Sequence, residues 1–102
     1  MQVAQQQMLS VTTTTSSKTA NYTMLTTDVN IVANTSGITI TLPDATLVKV
    51  GKKFTVYVGD KVSNVTVNTT SSQNIVGVGT SIVLTSAGYS ISVISNGTEW
   101  LV

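Results

Sequence analysis

No cysteine, histidine or arginine occurs in the chain, and proline occurs once. Without cysteine there is no disulfide framework and no thiolate nucleophile. Without histidine there is no imidazole base, and the two absences together remove thiolate and imidazole metal ligands. No metal and no cofactor is therefore expected. The missing arginine removes the side chain best suited to reading phosphate and guanine. Charge of any kind is scarce: five lysines oppose four acids, for a formal balance of +1. Such a surface generates no long-range field, so neither nucleic acid nor an anionic membrane is an expected partner. No apolar run approaches the roughly 18 residues needed to cross a bilayer. The opening MQVAQQQMLSVTTTTSSK lacks the basic start and apolar core of a secretory leader. Any export is expected to take another route.

The scarcity extends to catalytic groups. The carboxylates are Asp28, Asp44, Asp60 and Glu99, each on or beside an expected turn. Two of them meeting in space could act as the paired acids of glycoside hydrolysis. The stronger reading is that they are solvated turn residues, with aspartate supplying local turn contacts. Serines and threonines abound, but none has a base, and no glycine-rich phosphate loop is present. The chain is expected not to be an enzyme.

What is present is a strand-building palette. Valine (16), threonine (19) and serine (12) make up nearly half of the 102 residues, and β-branched side chains suit a pleated surface. From Thr19 onward short period-two runs alternate with turn residues. Strands are expected at 21–26, 29–33, 38–42, 53–58, 64–68, 74–76, 81–85, 89–95 and 98–102. Thr27-Asp28 is expected to join the first two tightly, and Ser36-Gly37 to form a hairpin into the third. Pro43 ends that strand by removing a ladder donor. A helical turn over Asp44–Gly51, capped by Asp44 and closed by Gly51, competes there with an irregular connection. Asn96-Gly97 is the strongest hairpin signal in the chain. The expected fold is all-β: a small antiparallel sandwich or barrel-like domain of eight or nine short strands.

Two domains of behaviour are expected along the chain. Residues 20–102 form the single β domain, with Ile38, Ile40, Leu42, Phe54, Val56 and Trp100 as its core or interface anchors. Residues 1–19, rich in glutamine and threonine, have too few apolar anchors to build a core. They are read either as a disordered tail or as an extended attachment arm of about 60 Å reach, with Met1, Val3, Met8 and Leu9 as its footholds. Lys49, Lys52, Lys53 and Lys61 fall close together in sequence and could form a basic edge facing an acidic partner, or simply blunt an edge strand. Tyr22, Phe54, Tyr57, Tyr89 and Trp100 could stack on sugar rings, or anchor the core. Asn21, Asn34, Asn64, Asn68 and Asn96 each begin an Asn-x-Ser/Thr triplet, which this composition produces by strand alternation. Several strands, such as Ser81–Thr85 and Ser92–Ser95, are apolar on more than one face. They are covered either by a sister chain or by the same chain.

Five blocks carry a further likeness. Asn21-Tyr-Thr-Met-Leu25, Thr35-Ser-Gly-Ile-Thr-Ile-Thr-Leu-Pro43, Gly51-Lys-Lys-Phe-Thr-Val56, Asn64-Val-Thr-Val67 and Val93-Ile-Ser-Asn-Gly-Thr-Glu-Trp100, in that order, resemble a β-rich module of tailed-phage virion proteins. The likeness spans nearly all of residues 20–102 and omits the arm. It implies a structural protein of the virion surface, commonly a homotrimer. A free-standing module with an arm points to a capsid decoration protein or a short head or tail fibre. Its partners would then be its own copies and a capsid or tail protein. A glycan-binding module, for instance one recognising a host surface glycan, is the competing expectation.

Overall fold

A computed structural model describes residues 15–102. Among the described residues nine short strands follow one another: β1 (Thr15–Lys18), β2 (Tyr22–Thr23), β3 (Asn30–Ala33), β4 (Thr39–Thr41), β5 (Lys53–Val58), β6 (Val65–Asn68), β7 (Ser81–Leu84), β8 (Ser90–Ser95) and β9 (Trp100–Leu101). A single 3-10 turn, Ala45–Leu47, lies between β4 and β5, and Asp44 caps it by accepting from the Thr46 amide. Residues 15–18, expected within the arm, are instead a strand of the domain, paired along its whole length with β3. Residues 1–14, with the arm footholds Met1, Val3, Met8 and Leu9, lie outside the described residues.

The strands form two mixed sheets, one ordered β1-β3-β5-β8-β9 and the other β2-β4-β6-β7. The expected antiparallel fold needs correction, because β1–β3, β3–β5, β2–β4 and β4–β6 are all parallel. From β1 to β6 the chain passes from one sheet to the other at each connection and returns one place along, making three turns of a coil. Parallel neighbours need a long crossover, and here each crossover is a strand of the opposite sheet with its two corners. The hairpins expected at Thr27-Asp28 and Ser36-Gly37 are corners of this coil: Gly37 does take a positive φ of 80°, but the strands it joins lie in different sheets. Only the last three strands reverse direction, β7 on β6, β8 on β5, and β9 on β8. Asn96-Gly97 makes the last reversal, its Asn96 Oδ1 accepting from the amides of Thr98 and Glu99.

Stacked corners bring backbones close together. The Gly59 amide donates to the Ala33 carbonyl and the Asn34 amide to that of Lys18, so the corners after β1, β3 and β5 stack as a column. A Cβ on Gly59 would stand 2.4 Å from Asn34 Oδ1, and this crowding is the local reason for glycine there.

Both sheets feed one core. Ile31, Phe54, Val56, Val93 and Trp100 from the first sheet, and Ile40, Val65, Val67 and Leu84 from the second, belong to a single buried cluster. Ile38 and Leu42 flank Ile40 and are buried with it. Phe54 and Trp100 meet edge to face, with ring centroids 5.5 Å apart. At one end, bridges from Ile75 to Trp100 and to Gly79 carry pairing past β9. At the other end the first turn of the coil is polar. Lys18 sits 3.9 Å from the centroid of the Tyr22 ring, and the Tyr22 hydroxyl donates to Asp28 at 2.6 Å. A lysine so placed on an edge strand blunts it against further pairing.

Candidate functional site

Strand alternation sends half of each ladder outward. On the first sheet Thr15, Asn30, Thr55 and Ser92 face one another across four strands. Their polar groups link, with Thr55 Oγ1 and Ser92 Oγ at 2.9 Å and Asn30 Nδ2 donating to Thr15 Oγ1 at 3.4 Å. On the second sheet Thr23, Thr41, Asn68 and Ser81 form one outward file and Thr39, Thr66 and Val83 another. The rest of the first sheet's outer face is mixed: Ser17, Lys53, Tyr57 and Ser90 share it with Val32, Ile94 and Leu101. Ile94 stands between Lys53 on β5 and Leu101 on β9, and Ile75 bridges Trp100 on the edge away from Ser95, which puts Val76 beside Leu101. Ile94, Leu101 and Val76 are 39%, 39% and 45% exposed.

The four carboxylates serve local structure or stand free. Asp28 accepts from the Tyr22 hydroxyl and the Leu25 amide. That bond, with burial second, raises the Tyr22 phenol above its ordinary value. Asp44 accepts from the hydroxyl and amide of Thr46 and from Gln73 Nε2. The Thr46 hydroxyl first, then its amide, then Gln73, hold the Asp44 carboxyl below its ordinary value. Asp60 is exposed at the corner after β5, and Glu99 lies in the β8–β9 hairpin. Among the described residues no three His, Cys, Asp or Glu side chains gather as a metal site requires.

The lysines do not form one edge. Lys53 opens β5 while Lys61 follows it, and the strand between spans about 17 Å of extended chain. Lys52 is held in the structure: its Nζ donates to the Thr26 carbonyl at 2.9 Å and lies 5.0 Å from the Phe54 ring centroid. The aromatics also divide. Phe54 and Trp100 are buried, and of the exposed tyrosines Tyr57 pairs with Ser90 on the outer face. The Tyr89 carbonyl accepts from the amide of Val58, the inward-facing neighbour of Tyr57, so the two rings start from opposite faces of the sheet.

One concave feature was not singled out by the sequence. An open groove of about 580 Å³ runs along the corners after β2 and β4, lined by Met24, Leu25, Pro43, Asp44, Leu47 and Thr70 among others. Its walls are pinned by hydrogen bonds. Lys52 holds the Thr26 carbonyl, Asp28 holds the Leu25 amide, and Gln73 bonds both Asp44 and the Ala45 amide. Leu25 and Leu47 are 59% and 72% exposed, so the groove presents apolar surface in a preformed shape. The available signal is two leucines beside turns, but the alternation that places Leu25 in a strand over 21–26 runs past Thr23, where β2 ends.

Compared with models of known families, with characterised proteins and with solved structures, the chain matches none.

Proposed function

We propose that the chain is a non-enzymatic structural protein of a virion surface, a homotrimeric capsid decoration protein or short head or tail fibre, held to its particle through its N-terminal residues. The observation that carries this reading is the exposed apolar row Ile94, Leu101 and Val76 on the outer face of the five-stranded sheet. An exposed apolar row bordered by Lys53, on a protein with few charges, favours burial against another protein surface, and a sister chain is the economical choice. The phage-module likeness supports the same reading, since its blocks contain β2, β4, much of β5 and the β8–β9 hairpin. The two sheets are read as layers of a small sandwich about their common core.

The mechanism is association. Apolar faces bury between copies, and several N-terminal segments engage the particle at once, so that their combined valency raises avidity. Replacing Ile94 and Leu101 together by aspartate is expected to leave a folded single chain in solution. Removing residues 1–14 is expected to leave the oligomer intact and abolish attachment to particles. Full occupancy of particles by the truncated protein would refute the attachment role.

A further inference from the structure

We infer that the outer edge of β7 is a pairing surface for a second copy of the chain, joining the four-stranded sheets of two copies in antiparallel register about Val83. Of the strands at sheet edges among the described residues, the others are guarded. β1 carries Lys18, β2 is two residues long, and β9 has Val76 beside it, whose amide donates to the Trp100 carbonyl. β7, Ser81-Ile-Val-Leu84, has no lysine, no proline and no cover among the described residues, and such an edge accepts a further strand.

The hydrogen-bond phase of the sheet decides which groups that edge offers. In β6 the Thr66 amide donates to the Ile38 carbonyl and the Asn68 carbonyl accepts from the Leu42 amide, so both point to the β4 side. Val65 and Val67 therefore bond to their β7 partners Leu84 and Ile82. The Thr69 amide, donating to the Thr80 carbonyl, keeps the same phase. Ser81 and Val83, with Thr85 after them, turn their amides and carbonyls to the outer edge. That set is self-complementary. With Val83 opposite the second copy's Val83, Ser81 meets Thr85 in both directions and every offered group finds a partner. The side chains agree. Val83 is 50% exposed and meets itself as a β-branched cross-strand pair. On the inner face Ile82, only partly buried against the core, meets the second copy's Leu84. No charged residue occurs between Lys61 and Glu99, so this segment brings no like charges together.

The pairing goes beyond the trimer reading, which uses Ile94 and Leu101 on the other sheet, and does not depend on it. Residues 81–85 fall well short of the roughly 20–30 residues a side of a stable interface. The pairing therefore acts between copies already crowded together, and in solution it belongs to millimolar rather than micromolar concentration. The absence of cysteine allows a direct test on the full chain. Opposed residues of a bonded antiparallel pair stand about 5.5 Å apart, within the range a disulfide accepts, whereas the two Ser81 residues lie about 14 Å apart along the ladder. At millimolar concentration Val83→Cys is expected to oxidise to a covalent dimer at least about tenfold faster than Ser81→Cys. A mixture of Ser81→Cys and Thr85→Cys chains is expected to cross-link faster than either variant alone. Equal rates in either comparison would overturn the inference. Hydrogen exchange on the unmodified protein gives a second reading that needs no variant to fold. The Val83 amide is expected to exchange at least about tenfold more slowly at millimolar than at micromolar concentration. Protection independent of concentration would overturn the inference as well, by assigning the edge to the chain itself. A monomeric mass at micromolar concentration would contradict the trimer and leave both of these readouts as expected.

Discussion

Trp100 is wholly buried, and no protein group among the described residues accepts from its indole Nε1. Its contribution is therefore packing against Phe54 rather than hydrogen bonding, and an unpartnered buried donor subtracts from that contribution. Trp100→Ala is expected to cost about 3–5 kcal/mol. Trp100→Phe keeps much of the packing and removes the lone donor, so it is expected to cost less than half as much. Urea unfolding of both variants gives the comparison. Asp44 makes a second prediction through pH. Its carboxyl is held below the ordinary 3.8 by Thr46 and Gln73. A depressed folded-state value contributes stability that is fully present above the unfolded value and is lost as pH falls through the folded one. Asp44→Asn is therefore expected to be less stable than the parent near about pH 7, with the gap narrowing near about pH 3. Thermal melts at the two values check the sign.

At the scale of elements, Gly59 tests the stacked corners. An added methyl would meet Asn34 Oδ1 at 2.4 Å and the Ala33 carbonyl at 3.2 Å, so Gly59→Ala is expected to cost about 1–3 kcal/mol. Adding Asn34→Ala removes the nearer contact and is expected to recover part of that loss, giving a non-additive cycle. Several strand positions were legible in the sequence because alternation such as Ile38-Thr-Ile-Thr-Leu42 states which side chains face inward, whereas the all-polar Thr15–Lys18 gave no such signal. Partner choice was not legible. A glycine at positive φ permits a hairpin and a coil corner alike, and Thr15 meets Asn30 only through the strand and two corners between them. Where a reversal was local, at Asn96-Gly97, the sequence signal and the ladder coincide. The groove was hidden for the same reason as the pairing: Met24, Pro43 and Thr70 converge on it from three separate turns of the coil.

For the whole molecule, scarcity of charge and an apolar outer row lead to one expectation. Few repulsions oppose contact between copies, and hydroxyl files on the remaining faces keep the rest of the surface wetted. On the proposed reading Ile94 and Leu101 carry the association and the N-terminal residues the attachment. Ile94→Asp with Leu101→Asp is expected to dissociate the copies with little loss of fold, since both side chains are already partly exposed. Circular dichroism and chromatography of the variant separate those two effects. The most direct measurement is the molar mass of the unmodified chain in solution by sedimentation equilibrium. Self-association into the proposed trimer predicts three times the 10.7 kDa chain mass. A mass of 10.7 kDa across the micromolar range would contradict it.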